Sequence, residues 1–237
     1  MRFDVTDVAM AGARKLTQLD FVANNLANAS TPGFKSEHLY YAMTGKKAQE
    51  GAMMDLAPTS TRMDLSQGTL SLTGNSLDLA IEGEGYFTIQ TRQGNAYTRN
   101  GSFVINRNKE LVTSSGEPVL GDAGKIIIDG EKLHVDTDGT VYVDEAAVGK
   151  IRVSAFTNPH ALTRSAEGRF VDDGSAGAKT AAGYRISSGY LEMSNTNAIK
   201  EMVSMMEIQR AFETYQKVIL TLTDMDKIST NRIGKLI

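Results

Sequence analysis

The chain has 237 residues, of which 41% are hydrophobic and 22% are charged, a composition typical of soluble proteins. Its 25 basic and 28 acidic residues give a net charge of -3, with no dense basic block, so we expect no nucleic-acid partner. The absence of cysteine excludes disulfides, thiolate metal sites and cysteine nucleophiles. The N-terminal apolar run is too short for a cleaved signal or a membrane span, and we expect no lipid anchor.

Apolar residues in the N-terminal segment recur at steps of mostly three and four, which predicts an amphipathic helix over about residues 4–27. Asp4 is a suitable N-cap because its carboxylate can accept a hydrogen bond from a first-turn amide. The helix is predicted to end near Asn24, Asn25 and Asn28. Thr31-Pro32-Gly33-Phe34 then places proline and glycine at the central positions of a type II turn. The first predicted segment, 1–34, is therefore a helix followed by a turn.

Residues 35–74 have no regular period, which predicts an extended connector with little core of its own. This connector contains four methionines, namely Met43, Met53, Met54 and Met63. Residues 75–190 are predicted to form a mainly antiparallel β domain, because strand-like runs alternate with turn signals. The predicted strands are Tyr86–Thr91, Ala96–Arg99, Ser102–Asn106, Lys125–Asp129, Thr140–Val143 and Ile151–Phe156. The predicted turns are Gly94-Asn95, Asn100-Gly101, Asp129-Gly130 and Asp138-Gly139.

The last predicted segment, 191–237, contains a second long helix beginning near Ala198, with Ser194, Asn195 and Asn197 as candidate caps. Apolar side chains again recur at steps of mostly three or four, and neither proline nor glycine follows until Gly234. A helix of about 30 residues is about 45 Å long.

The predicted fold class is α+β, with the long N- and C-terminal helices forming an α-helical hairpin or coiled coil and the antiparallel β domain inserted between them. The alternative is that both helices cover the sheet. Their length favours the hairpin, and it leaves apolar surface that requires a partner chain. The predicted assembly interface is Val5, Val8, Leu16, Leu19, Leu26, Met202, Met206, Phe212, Ile219 and Leu222.

Catalytic motifs are absent from the sequence: it contains no GxSxG, HExxH, Walker or CxxC pattern, and His38, His134 and His160 are dispersed. Gly83-Glu84-Gly85 lacks the third glycine of a dinucleotide fingerprint. Asp136-Thr137-Asp138-Gly139 lacks the acidic twelfth residue of a calcium loop and is interpreted as a hairpin turn. Glu82 and Glu84 are predicted to lie on a solvated strand face, not to act as a glycosidase pair. We therefore expect no catalytic, metal or cofactor site.

Three blocks of sequence resemble the flagellar rod and hook family. The first is Asn24-Asn25-Leu26-Ala27-Asn28-Ala29-Ser30-Thr31-Pro32-Gly33-Phe34-Lys35, whose turn residues Asn24, Asn25, Asn28, Pro32, Gly33 and Phe34 match the family motif. The second joins the segment 77–87 to Tyr97-Thr98-Arg99-Asn100-Gly101-Ser102-Phe103. The third is Gly189-Tyr190-Leu191-Glu192-Met193-Ser194-Asn195, which leads into Glu201-Met202-Val203 and Gln209-Arg210-Ala211-Phe212-Glu213.

The resemblance implies a structural subunit whose terminal helices form the inner layer of a tube around an export channel, with the β domain outside. It implies export through the flagellar type III apparatus without a cleaved signal, and partners that are copies of the chain and other proximal and distal rod subunits. The form of the first block and the tail 212–219 favour a proximal position, with a distal position as the alternative. A hook subunit needs a larger outer domain. A secreted enzyme acting on cell-wall glycan and a small-molecule-binding periplasmic domain remain as alternatives, but neither explains the terminal helices.

Overall fold

The computed structural model describes residues 5–41, 58–130, 132–165 and 168–233. They form two compact units. The helical unit contains both terminal helices and one pair of strands, and the β unit contains Asn28–Ser36 and Met63–Thr196. The chain thus has two helices with a largely antiparallel β domain between them, as predicted. The compact units are bounded differently from the predicted segments, because parts of the predicted connector belong to each.

The helical unit consists of α1 (Val5–Ala27), β1 (Glu37–Tyr41), β2 (Pro58–Met63) and α2 (Ala198–Ile233). Helix α2 has 36 residues, which corresponds to about 54 Å. Asn197 is its N-cap, because the side-chain oxygen accepts the Lys200 amide at 3.1 Å. Asp4, the predicted cap of α1, lies outside the described residues, as do Met43, Met53 and Met54 of the predicted connector.

Helices α1 and α2 pack against each other. A Cβ atom added at Gly12 would lie 3.8 Å from the Phe212 ring and 3.9 Å from Cβ of Tyr215, so α1 lies close to α2 at this glycine. In each helix, buried and half-buried positions include a series spaced alternately four and three residues apart, as required for a continuous contact face between helices. The series are Val8, Gly12, Lys15, Leu19, Val22 and Leu26 in α1, and Ile208, Phe212, Tyr215, Ile219 and Leu222 in α2.

The described residues of the β unit form seventeen short strands. They are β3 (Leu70–Leu72), β4 (Leu79–Glu82), β5 (Tyr86–Thr91), β6 (Gly94–Thr98), β7 (Phe103–Ile105), β8 (Leu111–Thr113), β9 (Leu120–Gly121), β10 (Gly124–Lys125), β11 (Leu133–Val135), β12 (Thr140–Val143), β13 (Ala146–Lys150), β14 (Val153–Phe156), β15 (Thr163–Arg164), β16 (Phe170–Val171), β17 (Ala178–Thr180), β18 (Arg185–Ser188) and β19 (Tyr190–Glu192). The 3₁₀ turn Pro159–Ala161 precedes β15.

Antiparallel pairing organises these strands into small sheets. The largest has the order β15-β16-β6-β5-β14-β17, a second has the order β11-β12-β13, and β3-β19, β4-β18, β7-β8 and β9-β10 form two-stranded sheets. The main core contains fully buried side chains such as Phe87, Ile89 and Val141. A second, aromatic cluster joins Tyr86, Tyr97, Phe156 and Phe170 through edge-to-face contacts with ring centroids 4.7–5.6 Å apart.

Several local predictions require correction. The turn predicted at Gly94-Asn95 is wrong: these residues begin β6, and Arg92 and Gln93 form the loop of the β5–β6 hairpin. The run Lys125–Asp129 is not a continuous strand, because beyond β10 it pairs only at an isolated bridge between Glu110 and Ile127. The predicted connector contains β1, β2 and β3, which are too short or too polar to produce a hydrophobic period.

The type II turn predicted at Thr31–Phe34 is confirmed. The Phe34 amide donates to the Thr31 carbonyl at 3.3 Å, and Gly33 has a φ of +69°. A Cβ atom at Gly33 would lie 2.2 Å from the backbone nitrogen of Asn100. Glycine is therefore required at position 33 both by its backbone conformation and by this close approach of another segment of the β unit.

We predict that Gly33→Ala destabilises the β unit by about 2–4 kcal/mol, because the strain of a positive φ adds to the backbone collision. Gly74→Ala is the matched control, since Gly74 has a φ of +76° and no atom within 4 Å of the added Cβ. It should cost only about 1 kcal/mol. Urea unfolding followed by tyrosine fluorescence measures both free energies, and equal losses would show that the close approach at Gly33 is unimportant.

The predicted hairpin turn at Asp136–Gly139 is also confirmed, since it connects the antiparallel strands β11 and β12. The Gly139 amide donates to the Asp136 carbonyl at 2.9 Å. The Asp138 carboxylate accepts hydrogen bonds from the Thr140 amide and hydroxyl at 2.9 and 3.0 Å, and from Lys150 Nζ at 3.2 Å. These bonds, led by those from Thr140, lower the pKa of Asp138 to about 2. The carboxylate thus closes the turn as a local cap.

The stabilising effect of Asp138 should disappear in acid. Its folded-state pKa of about 2 lies below the ordinary value of 3.8, so ionised Asp138 stabilises the fold above about pH 4, and this contribution decreases as the pH falls toward 2. We expect Asp138→Asn to be less stable than the wild type at pH 7 and the difference to shrink progressively at pH 4 and pH 2. Chemical unfolding at the three pH values tests this, and a difference independent of pH would contradict it.

Candidate functional site: a buried carboxylate and two helix faces

The side chain of Glu192, at the end of β19, is a carboxylate buried between two cations. Glu192 is only 1% exposed, and its Oε1 lies 2.5 Å from Lys35 Nζ while its Oε2 lies 3.1 Å from Arg99 Nη1. The Gly68 amide also donates to Oε1 at 3.0 Å. We call Lys35, Arg99 and Glu192 the Glu192 junction. It joins residues separated by 64 and 93 positions in the chain, as the difference between their numbers shows.

Backbone carbonyls satisfy further donors of the two cations. Lys35 Nζ donates to Ser66 O at 2.6 Å, and Arg99 donates to the carbonyls of Ile81 and Gly83 at 3.1 and 2.6 Å. Burial lowers the pKa of Lys35 below its usual value, although the neighbouring Glu192 carboxylate acts in the opposite direction. Buried charges are tolerated when they are paired and hydrogen-bonded in this way.

Hydrogen bonds around the junction connect the same chain segments. The Gly33 amide donates to the Glu192 carbonyl at 2.7 Å, and Asn195 Oδ1 accepts the Ser36 amide at 2.8 Å. The Arg164 guanidinium lies 4.3 Å from the centre of the Phe34 ring and donates to the Lys35 carbonyl. The segment 33–36 is therefore fixed from several sides within the β unit.

The predicted motif-turn residues have distinct structural roles. Asn25 is buried, and its side-chain amide bonds both the carbonyl and the amide of Glu37, at 2.9 and 3.0 Å. Asn28 accepts the Thr31 amide on its carbonyl and the Thr31 hydroxyl on its side chain. Gly33 and Phe34 are buried, Pro32 is half-buried in the turn, and the Asn24 side chain is exposed. The charged residues of the Glu192 junction were not predicted as site residues, although all three lie inside the blocks that carry the family resemblance.

The predicted assembly residues occupy two different environments. Half-buried positions are Val8, Leu19, Leu26, Phe212, Ile219 and Leu222, whereas Leu16, Met202 and Met206 are 42%, 50% and 51% exposed. The side chain of Val5 lies outside those described. Val22 and Ile208, which are buried, belong to the same four-and-three series but were not selected from the sequence. One apolar stripe was predicted on each helix, and the structure divides it into covered and exposed parts.

Four exposed apolar residues of α2 lie close together near its N-terminus. Ile199, Met202, Val203 and Met206, which we call the outer patch, are spaced so that they share one helix face. Glu201 and Ile208, on the opposite side of α2, are buried. The outer patch is therefore an apolar surface directed away from the covered side of its own helix.

The acidic pair considered for glycan cleavage does not form the predicted strand face. Strand β4 ends at Glu82, which accepts a hydrogen bond from the Ser187 hydroxyl, and Glu84 lies in the bend that follows. The prediction that both share one strand face is wrong for this reason. Within the described parts of the chain, no group of three or more histidine and acidic side chains is arranged to hold a metal ion. None of the described helices is long and apolar enough to cross a bilayer.

Comparison with known proteins identifies three matching family models. Residues 9–35 match the model of flagella basal body rod proteins, residues 80–143 the D1 domain of flagellar hook proteins FlgE/F/G, and residues 187–233 the C-terminal region of flagellar basal body rod FlgEFG proteins. The chain is 32% identical to the flagellar basal-body rod protein FlgF of Caulobacter vibrioides over 229 residues, covering 92% of this chain and 93% of the relative. The chain belongs to the FlgF/FlgG family of flagellar basal-body rod proteins.

Other members of the family show similar identity. The FlgF protein of Escherichia coli is 32% identical, with 90% of this chain and 91% of the relative covered. The FlgG protein of Buchnera aphidicola subsp. Baizongia pistaciae is 34% identical, with 87% and 90% covered. The Glu192 junction takes Lys35, Arg99 and Glu192 from the first, second and third matched regions of the chain, respectively. In this member of the family, the three regions therefore meet at one buried ion-pair network.

We predict that Glu192→Gln destabilises the β unit by about 3–5 kcal/mol, because it leaves Lys35 and Arg99 buried without their counter-charge. Glu84→Gln, an exposed substitution of the same chemistry, should change the stability by less than about 0.5 kcal/mol. Adding Lys35→Met to Glu192→Gln should recover part of the loss, since only Arg99 then remains unpaired. Thermal and urea unfolding measure these effects, and a Glu192→Gln protein as stable as the control would refute the structural role of the junction.

Proposed function

We propose that the protein is a structural subunit of the bacterial flagellar basal-body rod that assembles through its terminal helices and carries no catalytic site. The outer patch is the main observation that supports the proposal, because it is an exposed apolar surface on α2, whereas the opposite side of this helix is covered. The names of the related proteins support a rod function. Glycan cleavage has no comparable support, because Glu84 lies in a bend outside β4 and the Glu82 carboxylate accepts a hydrogen bond from the Ser187 hydroxyl.

The two covered faces support a coiled-coil arrangement of α1 and α2 as an α-helical hairpin. Their four-and-three spacing is the pattern in which side chains of one helix can enter spaces between side chains of the other. In the proposed assembly, these helices form the inner layer of the tube around the export channel, and the β unit forms the outer layer. The buried and half-buried residues with four-and-three spacing would hold the two helices of one subunit together. The outer patch would then be available for contact with neighbouring subunits.

The proposed partners are other copies of this chain, other proximal and distal rod subunits, and the flagellar type III export apparatus. The proposed location is the rod within the periplasm, reached without cleavage of a signal peptide. A proximal position in the rod is favoured by the form of the segment 29–32 and the tail 212–219. A distal position is the alternative, and the similar identities to FlgF and FlgG proteins favour neither.

We expect Met206→Asp to block incorporation into the rod without destabilising the free subunit. Met206 is half-exposed in the outer patch, so the carboxylate remains hydrated in the monomer but would be buried without a counter-charge against a neighbour. The matched control is Thr214→Asp, an exposed position in the polar middle of α2. Motility in a strain lacking the native gene and electron microscopy of purified basal bodies measure incorporation, while thermal unfolding checks the monomer.

Normal rods with Met206→Asp would contradict an assembly role for the outer patch. Loss of motility with both Asp variants would instead indicate that any added negative charge on α2 is harmful. The proposal is supported only if motility is lost with Met206→Asp and retained with Thr214→Asp.

A further inference from the structure

Methionine is the sulfur-containing residue of this chain, since it has 11 methionines and no cysteine. Among the described residues, the methionines that are at least half exposed all lie on the two helices, whereas Met63 and Met193 of the β unit are half-buried. Two of the exposed ones, Met202 and Met206, are four residues apart and make up half of the outer patch. Their thioethers are accessible to small oxidants in the free subunit.

We propose that Met202 and Met206 make the assembly surface sensitive to peroxides, so that oxidation of the free subunit prevents its association. This inference rests on the proposed function, because it concerns the surface through which the subunit assembles. Each thioether sulfur attacks the hydroxyl oxygen of a peroxide: an S–O bond forms and the O–O bond breaks. The leaving oxygen takes the proton from the sulfur-bound oxygen and becomes water or an alcohol. The methionine is oxidised by two electrons to its sulfoxide.

The chemical effect of the sulfoxide follows from its place in the patch. Ile199 and Val203 flank the two methionines and offer no hydrogen-bond donor from their side chains. A sulfoxide oxygen is a strong acceptor, so it loses its water when an apolar neighbour covers the patch and gains no partner from these residues. The hydrated sulfoxide is tolerated in the free helix because Met202 and Met206 are half-exposed. Oxidation therefore weakens association more than folding.

Assembly should also protect the same residues. Once a neighbour covers the patch, the thioethers are removed from solvent and react slowly with peroxide. The free subunit and the assembled subunit should thus differ in how quickly Met202 and Met206 are oxidised, with no such difference for Met63 and Met193.

The test uses the full-length protein, hydrogen peroxide, and sedimentation over a concentration series, with peptide mass spectrometry to locate the sulfoxides. We expect peroxide to raise the concentration needed for association of the wild type by about tenfold or more. Met202→Leu/Met206→Leu should associate equally with and without peroxide, because leucine keeps the apolar surface and has no sulfur. Met63→Leu/Met193→Leu is the matched control and should remain as sensitive as the wild type, and circular dichroism should show unchanged helix content after oxidation.

The outcomes separate this inference from the proposed function. Association of the wild type that resists peroxide while Met202 and Met206 are oxidised would overturn the inference and leave the rod subunit proposal intact. Equal inhibition of Met202→Leu/Met206→Leu would also overturn it, by assigning the effect to other methionines. Failure of the untreated wild type to associate at any concentration would contradict self-association, which belongs to the proposed function itself.

Discussion

The buried Glu192 carboxylate is the constraint on which the β unit depends. Removing a carboxylate and two cations from water is costly, and the cost is offset here by direct pairing and by the carbonyls of Ser66, Ile81 and Gly83. Lys35 comes from the first segment of the β unit, Arg99 directly follows the β5–β6 hairpin, and Glu192 ends the last strand. If any of these segments unfolds locally, a buried charge loses its partner. The junction therefore couples the beginning and the end of the β unit in one cooperative structure.

The two units of the chain use apolar side chains in opposite ways. In the β unit, large residues such as Phe87, Phe103 and Phe170 are fully buried, and short antiparallel strands enclose them. The helical unit buries only one side of α2 and leaves apolar side chains exposed at both ends of that helix, including Val218, Leu220, Met225 and Ile228. A surface of this kind is a liability for an isolated soluble subunit and an advantage for one that polymerises. Under the proposed function, stability and assembly would therefore depend on different parts of the sequence.

Long periodic elements were predictable from the sequence, and short or irregular ones were not. Both helices and the strands Tyr86–Thr91 and Thr140–Val143 match their predicted positions closely, because each shows a sustained pattern or clear flanking turns. Strands of two or three residues, such as Leu120–Gly121, contain too few positions to define a period. Steps of three and four also occur on any face of a 36-residue helix, so they could not separate the covered Phe212 from the exposed Met202. The Glu192 junction was not predicted because the sequence does not distinguish a buried charged residue from an exposed one.

We infer that the charged residues at the junction make the packing of the β unit specific. An apolar trio of similar volume can stabilise a core equally well, but it tolerates shifts in register that a hydrogen-bonded carboxylate does not. At Glu192, one carboxylate must meet an ammonium and a guanidinium at fixed distances while Gly33 keeps its turn against the backbone of Asn100. On α2, exposed polar residues, among them Glu207, Arg210, Glu213 and Lys217, separate the outer patch from the exposed apolar residues nearer the C-terminus. A neighbour placed one or two turns out of register would cover charges with apolar groups. The same physical rule, the cost of an unpaired buried charge, therefore favours one register of the segments within the β unit and, in the proposed assembly, would limit the positions of a neighbouring helix.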